Sequence, residues 1–208
     1  MSFLAAEREA LCDTFLSAGS AAPTLCTGWD AYDLAAHMWV RENQIGRRFV
    51  TMVHPRRSEE DLLRAAKRQH TFEDLVELLR AGPKGASPFR VKGLRSVLNT
   101  LELFIHHEDV RRAGSVPLPP RSLDEEAEKA LLRALKQSAG LLFARAPFGV
   151  DLVTDDGKRI SVKRNRKVGI QGPVGELLIY ASGRGQVAQV ELTGRPEDIE
   201  KVAASLGI

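Results

Sequence analysis

LNTLELFIHHEDVRRAG, residues 98–114, decides how this chain folds. Its apolar residues recur at helical spacing, and Gly114 is a natural stop. Glu102 and His106 lie four apart, so on an α-helix they stack on one face, one turn above the other. Asn99 and Asp109 prolong that stripe. At about 100° per residue, Leu98, Leu101 and Ile105 border it on one side, and Leu103 and Val110 on the other. The polar stripe therefore runs down the middle of the face the helix must bury. A carboxylate and an imidazole there are costly unless paired or bound to a cation. Metal ligation is the reading this favours. His107 sits about 100° away, on what reads as the outer face, and is expected to be solvated.

A second stretch, GWDAYDLAAHMW at residues 28–39, brings another donor. Asp30 can cap a helix there, with Asp33 in its first turn, and Leu34, His37, Met38 and Ile45 share a face. Two helices that each carry coordinating groups to core-facing positions are how bundles build internal metal sites. His37, Glu102 and His106 form one anionic and two neutral ligands and leave at least one coordination position open. Structural zinc sites are closed by four protein ligands, so an open set points to catalysis. The donors suit zinc, and nickel and iron also fit. A ferritin-like di-metal site needs two Glu-x-x-His motifs, which are absent. His54 beside Pro55 and His70 at a helix junction read as surface residues. Trp29 and Trp39 read as packing anchors. Cys26 could serve as a redox or fourth-ligand thiol, but a small buried hydrophobe is the favoured reading.

Outward from these motifs, the first two thirds of the chain read as helices. One runs from about residue 2 to 17 and ends at Gly19. Ser58 with Asp61, and Thr71 with Asp74, are cap-like pairs that open two shorter helices. GPKGAS, at residues 82–87, is a loop. After the proline-rich SVPLPP, Ser122 and Glu125 form a capping box for the helix DEEAEKALLRALKQSAGLLFAR. From Phe148 the period changes to alternation, and the order β-β-β-α-β-α follows, with Pro173 and Pro196 opening helices. The fold class is α plus α+β, with a helical bundle over residues 1–146 and a small α+β domain over residues 147–208.

Bulk properties bound the function. With 208 residues and 43% hydrophobic content, a sizeable core is possible. A net charge of +3 is too mild to imply nucleic acid. The run Lys163-Arg164-Asn165-Arg166-Lys167 has no interleaved aromatics and reads as a solvated turn. Two cysteines make no disulfide framework, which favours a reducing compartment. The first residues lack the pattern of a signal peptide, and no apolar run approaches a membrane span. A cytoplasmic protein is expected, a monomer or homodimer, without membrane or nucleic-acid partners.

GWDAYDLAAH followed by LELFIHHEDVRRAG resembles the DinB-like metal-binding four-helix bundles, in particular their mycothiol-dependent maleylpyruvate isomerase-like branch. There a Gly-Trp-x-x-x-Asp-Leu-x-x-His segment supplies one metal ligand, and a Glu-x-x-x-His-x-x-Asp segment supplies two more and an acidic residue. The resemblance implies ligands His37, Glu102 and His106, with Asp109 close to the substrate. The C-terminal unit is similar to the sterol-carrier-like domain attached to such bundles, which puts Arg184 forward as a group facing the metal cleft. The implied chemistry is isomerisation or S-transfer on a small electrophilic substrate, with a divalent metal, foremost zinc, and mycothiol as thiol cosubstrate. Asp109 would shuttle a proton or, alternatively, orient His106. Arg184 would hold a substrate carboxylate or, alternatively, serve as a helix-end cation. A metal-containing binding protein without turnover and a metal-dependent hydrolase of thiol conjugates are the competing functions.

Overall fold

The computed structural model describes residues 2–43, 59–83, 94–116 and 118–206. Ile45, the His54-Pro55 segment, Ser58 and residues 84–87 lie outside them. The chain divides into two compact units, Met1–Leu118 and Pro119–Ile208.

In the first unit the described residues form five helices: α1 (Phe3–Ala18), α2 (Ala31–Asn43), α3 (Glu59–Gln69), α4 (Phe72–Arg80) and α5 (Leu94–Arg111). Local chemistry sets their ends. Gly19 takes φ +85°, a left-handed conformation that glycine adopts without strain, and its N–H closes α1 on the Phe15 carbonyl at 2.9 Å. Asp30 caps α2 by accepting from the Asp33 N–H at 2.8 Å, and Asp33 accepts in return from the Asp30 N–H at 3.4 Å. Thr71 and Asp74 make the same reciprocal box at the start of α4, at 3.1 and 3.0 Å. Each such cap contributes about 1 kcal/mol. Between the helices, Leu11 and Phe15 of α1, Leu34 and Ala35 of α2, Leu63 of α3, Leu75 and Leu79 of α4, and Leu103 of α5 form one core.

Helix α5 is enclosed on nearly every side. From Val97 to Val110, all residues are buried except Leu98 and Glu102. The expectation that His107 is solvated is overturned: it is 3% exposed, with Nδ1 2.9 Å from Glu7 Oε1 and Nε2 2.8 Å from Thr14 Oγ1. Helix α1 packs along the side of α5 that periodicity had assigned to water. The contact is polar on both helices, so apolar patterning could not reveal it.

The second unit contains α6 (Glu125–Leu142), β1 (Gly149–Thr154), β2 (Arg159–Val162), β3 (Arg166–Gly172), α7 (Val174–Ala181), β4 (Glu191–Thr193) and α8 (Pro196–Ala203). The expected β-β-β-α-β-α order is present after α6. The cap of α6 is Asp124, which accepts from the Ala127 N–H at 2.8 Å, and not the expected Ser122 box; the helix begins two residues later. The sequence reading grouped this helix with the bundle, placing the boundary at 146/147. In the structure its apolar stripe of Leu131, Ala134, Leu135 and Ala139 is buried and it packs on α7, so it belongs with the sheet unit.

The four strands lie in the order β2-β1-β3-β4, with β1 antiparallel to β2 and parallel to β3. Val150, Leu152, Val168 and Ile170 point to the core, as period-two alternation requires. Because β2 and β3 flank β1, the short link between them must cross the start of β1. It does so through Lys163 (φ 59°) and Asn165 (φ 53°), two left-handed residues that turn the backbone sharply. Gly149 lies directly beneath. A Cβ there would come within 2.5 Å of the Arg164 carbonyl and 2.8 Å of the Val162 carbonyl. Backbone on both sides leaves little room to give. Gly149→Ala is expected to destabilise the second unit by about 1–3 kcal/mol, read as an earlier denaturation midpoint. An unchanged midpoint would show that the crossing is looser than this.

Candidate metal centre

His37, Glu102 and His106 come together. One donor atom from each lies within 4.8 Å of the other two. Glu102 Oε2 is 3.3 Å from His106 Nε2 and 4.0 Å from His37 Nε2. The two imidazole rings face each other at 5.4 Å between centroids, inclined by 76°. Ligands about 2.0–2.1 Å from a tetrahedral ion sit about 3.3 Å apart. One edge already has that length, and the second needs only a small contraction. The donor set therefore fits a divalent ion. Trp29 flanks the group, its ring 5.0 Å from that of His37.

Helix geometry explains the convergence. Glu102 and His106 project from adjacent turns of α5, and His37 comes from α2. Arg41, one turn beyond His37 on α2, was not singled out in the sequence, although its spacing of four places it on the same stripe. Its Nε lies 3.3 Å from Glu102 Oε2 and its Nη1 donates to Asn99 Oδ1 at 3.1 Å. Burial raises the Glu102 pKa, but the His106 hydrogen bond and the charges of Arg41 and the two imidazoles outweigh it and bring the value down to about 2. Glu102 is thus an anion throughout the physiological range.

His106 is held from both ring edges. Its Nδ1 is 2.9 Å from Asp109 Oδ2, and Asp109 is fully buried. Burial disfavours the imidazolium, yet the bonds with Asp109, Cys26 and Glu102 keep its pKa well above the ordinary histidine value. A carboxylate on one imidazole nitrogen sets the tautomer and aims the other nitrogen at a metal. Asp109 stands in that relation to His106, behind the ring as viewed from Glu102.

Cys26 proves more than a packing residue. Its Sγ donates to Asp109 Oδ2 at 3.2 Å and lies 3.9 Å from His106 Nδ1. The sequence signal was its place just before the Gly28-Trp29 pair, which bends the loop back toward α5. Trp29 and Trp39 do pack against the core as expected. His70 is partly buried beside Trp39, at 5.0 Å between ring centroids. Arg184 belongs to the second unit, where its Nη1 donates to the Ser182 carbonyl at the end of α7, at 2.6 Å. No helix among the described residues is long and apolar enough to cross a membrane.

No known protein family matches the sequence, and no curated protein does. Solved structures do resemble the fold. One is the mycothiol-dependent maleylpyruvate isomerase, with a TM-score of 0.57; another is a histidine-to-alanine mutant of that enzyme, with a TM-score of 0.60. In each case the identity is 14%, over 92% of this chain and 91% of the other. The chain therefore has a mixed α and β fold related to that of the isomerase.

Proposed function

We propose that this protein is a thiol-dependent enzyme that isomerises or S-conjugates a small electrophile, using mycothiol and a divalent metal ion, foremost zinc. The observation that carries this reading is the meeting of His37, Glu102 and His106 within 4.8 Å, inside a fold related to a mycothiol-dependent isomerase. In this reading the helical unit is a DinB-like bundle and the sheet unit a sterol-carrier-like domain. His37, Glu102 and His106 are the metal ligands. A divalent ion on two imidazoles and one carboxylate keeps about one net positive charge and favours the thiolate form of an arriving thiol.

The surrounding residues have defined tasks. Asp109 holds His106 Nδ1 and thereby presents Nε2 on the Glu102 side; its full burial favours this orienting task over proton shuttling. The His106 hydrogen bond, and after it the charge of Arg41, keep Glu102 ionised. Trp29 gives the group an apolar wall on the His37 side. Arg184, in the second unit at the end of α7, is the residue the resemblance puts forward to grip a substrate carboxylate with its planar fork of donors.

The test is turnover of an electron-poor alkene with mycothiol, with and without a chelator, beside metal analysis. Chelation is expected to abolish turnover, and Asp109→Asn to weaken metal affinity about 10–100-fold. Binding that ignores the chelator, with no turnover, would mark a binding protein instead. Release of free thiol from a conjugate would mark a hydrolase.

A further inference from the structure

We infer that a second cation site, softer in character, lies beside the first and is formed by Cys26 Sγ, His106 Nδ1 and Asp109 Oδ2. These three atoms also lie within 4.8 Å of one another. The edges are 3.2 Å from sulfur to carboxylate, 2.9 Å from nitrogen to carboxylate and 3.9 Å from sulfur to nitrogen. Bond lengths of about 2.3 Å to sulfur and 2.0–2.2 Å to nitrogen and oxygen put tetrahedral donors about 3.3–3.6 Å apart. The observed triangle brackets that range.

The loop that carries Cys26 is held in place before any ion arrives. The Leu25 N–H donates to the Asp109 carbonyl at 3.0 Å, which fastens the loop to α5. Thr24 Oγ1 accepts from the Cys26 N–H at 3.2 Å and lies 2.7 Å from the Trp29 carbonyl. The Trp29 N–H closes the turn on the Cys26 carbonyl at 3.0 Å. Ordering a loop normally opposes binding, and here that cost is met during folding. Cys26 is partly exposed while Asp109 is fully buried, so an ion can enter from the cysteine side.

The two sets differ in kind. His37, Glu102 and His106 offer nitrogen and oxygen, whereas the second set includes a thiolate, the donor that selects thiophilic d10 ions. Both use His106, through opposite ring nitrogens. A neutral imidazole has one lone pair to offer, so the sets compete. An ion on Nδ1 takes the place of the proton shared with Asp109, and the Sγ proton leaves as well, both to solvent. His106 Nε2 then keeps its proton, directed at Glu102 Oε2 3.3 Å away, and offers the first set no lone pair. A thiophilic ion at Cys26 would thereby silence the first set. The proposal does not require that the first set hold a metal.

Cadmium titration of the full chain, followed by thiolate-to-metal absorption in the ultraviolet, tests the site. One equivalent of signal is expected in the natural protein and in His37→Ala, which removes a donor of the first set only. Cys26→Ser and Cys26→Ala are each expected to weaken it about 100-fold or more. Cys12 serves as the internal control. It is fully buried, its Sγ is 3.6 Å from the Val76 carbonyl, and burial pushes its pKa up to about 12, so Cys12→Ala should change nothing. A signal that survives in both Cys26 variants, or none in the natural protein, overturns the proposal. Zinc content that stays unchanged when His37→Ala is added to Cys26→Ala would instead count against the first set.

Discussion

Glu108→Ala is expected to lower the stability of the helical unit by about 3–5 kcal/mol, the range for breaking a buried ion pair. Glu108 is fully buried, and Arg112 beside it is 2% exposed. The Glu108 carboxylate accepts from Arg112 Nε and from Arg111 Nη1, the latter at 2.9 Å to each oxygen. Removing it withdraws the anion that both guanidinium groups face, in surroundings where charge is poorly solvated. The penalty comes from what is left behind. Glu108→Gln, which keeps the shape and one acceptor oxygen, should lose less, and Glu108→Leu combined with Arg112→Met should recover much of the difference. Denaturant titration separates these outcomes. A loss below about 1 kcal/mol for Glu108→Ala, in the range of an exposed pair, would mean that water reaches this network.

That network also shows where the sequence stops being readable. Helix starts at Asp30 and Thr71 were legible because a cap and its partner lie three residues apart, and no distant contact can alter that chemistry. The alternation of β1 and β3 was legible for the same reason. The burial of His107, Glu108 and Arg112 was not. His107 meets Glu7 and Thr14, about a hundred residues upstream, and a polar residue beside a polar partner looks like surface in any periodic pattern. The strand order was equally hidden. Nothing local in KRNR says that the link passes over Gly149; only the parallel pairing of β1 with β3 reveals it. The apolar stripe of the long helix α6 fits either a bundle or a sheet, and it clusters here with the sheet unit.

The candidate centre divides along similar lines. Glu102 and His106 are linked by helical spacing, and their pairing with His37 followed from two core-facing stripes that needed each other. Arg41 could have been read from its spacing to His37. Cys26 was legible only as a thiol beside the Gly28-Trp29 pair, because its approach to Asp109 depends on a backbone bond between Leu25 and α5. The sequence thus contained the donors that share a helix face, and lacked those delivered by a folded loop.

His37→Ala is expected to weaken divalent-ion binding at the first set about 100-fold or more, read with Cys26→Ala in the background. Closed four-ligand zinc sites are worth about 10–16 kcal/mol, so one ligand accounts for roughly 3 kcal/mol, or about two powers of ten in affinity. Glu102→Gln should do at least as much, since it removes the anion and leaves Arg41 facing the ion. The pH dependence identifies the titrating group. Asp109, Glu102, Cys26 and His37 all face His106, and the bonds from Asp109, Cys26 and Glu102 raise its pKa despite burial. Below that raised pKa an entering ion must displace the His106 proton, so affinity rises about tenfold per pH unit and levels off above it. Asp109→Asn shifts the levelling point to lower pH, because the first of the groups that raise the pKa is gone. Competition with a chromophoric chelator across pH measures both effects. With Cys26→Ala in the background to remove the second set, full metal content in His37→Ala, or an affinity that ignores pH, would remove His37, Glu102 and His106 from the role of metal ligands.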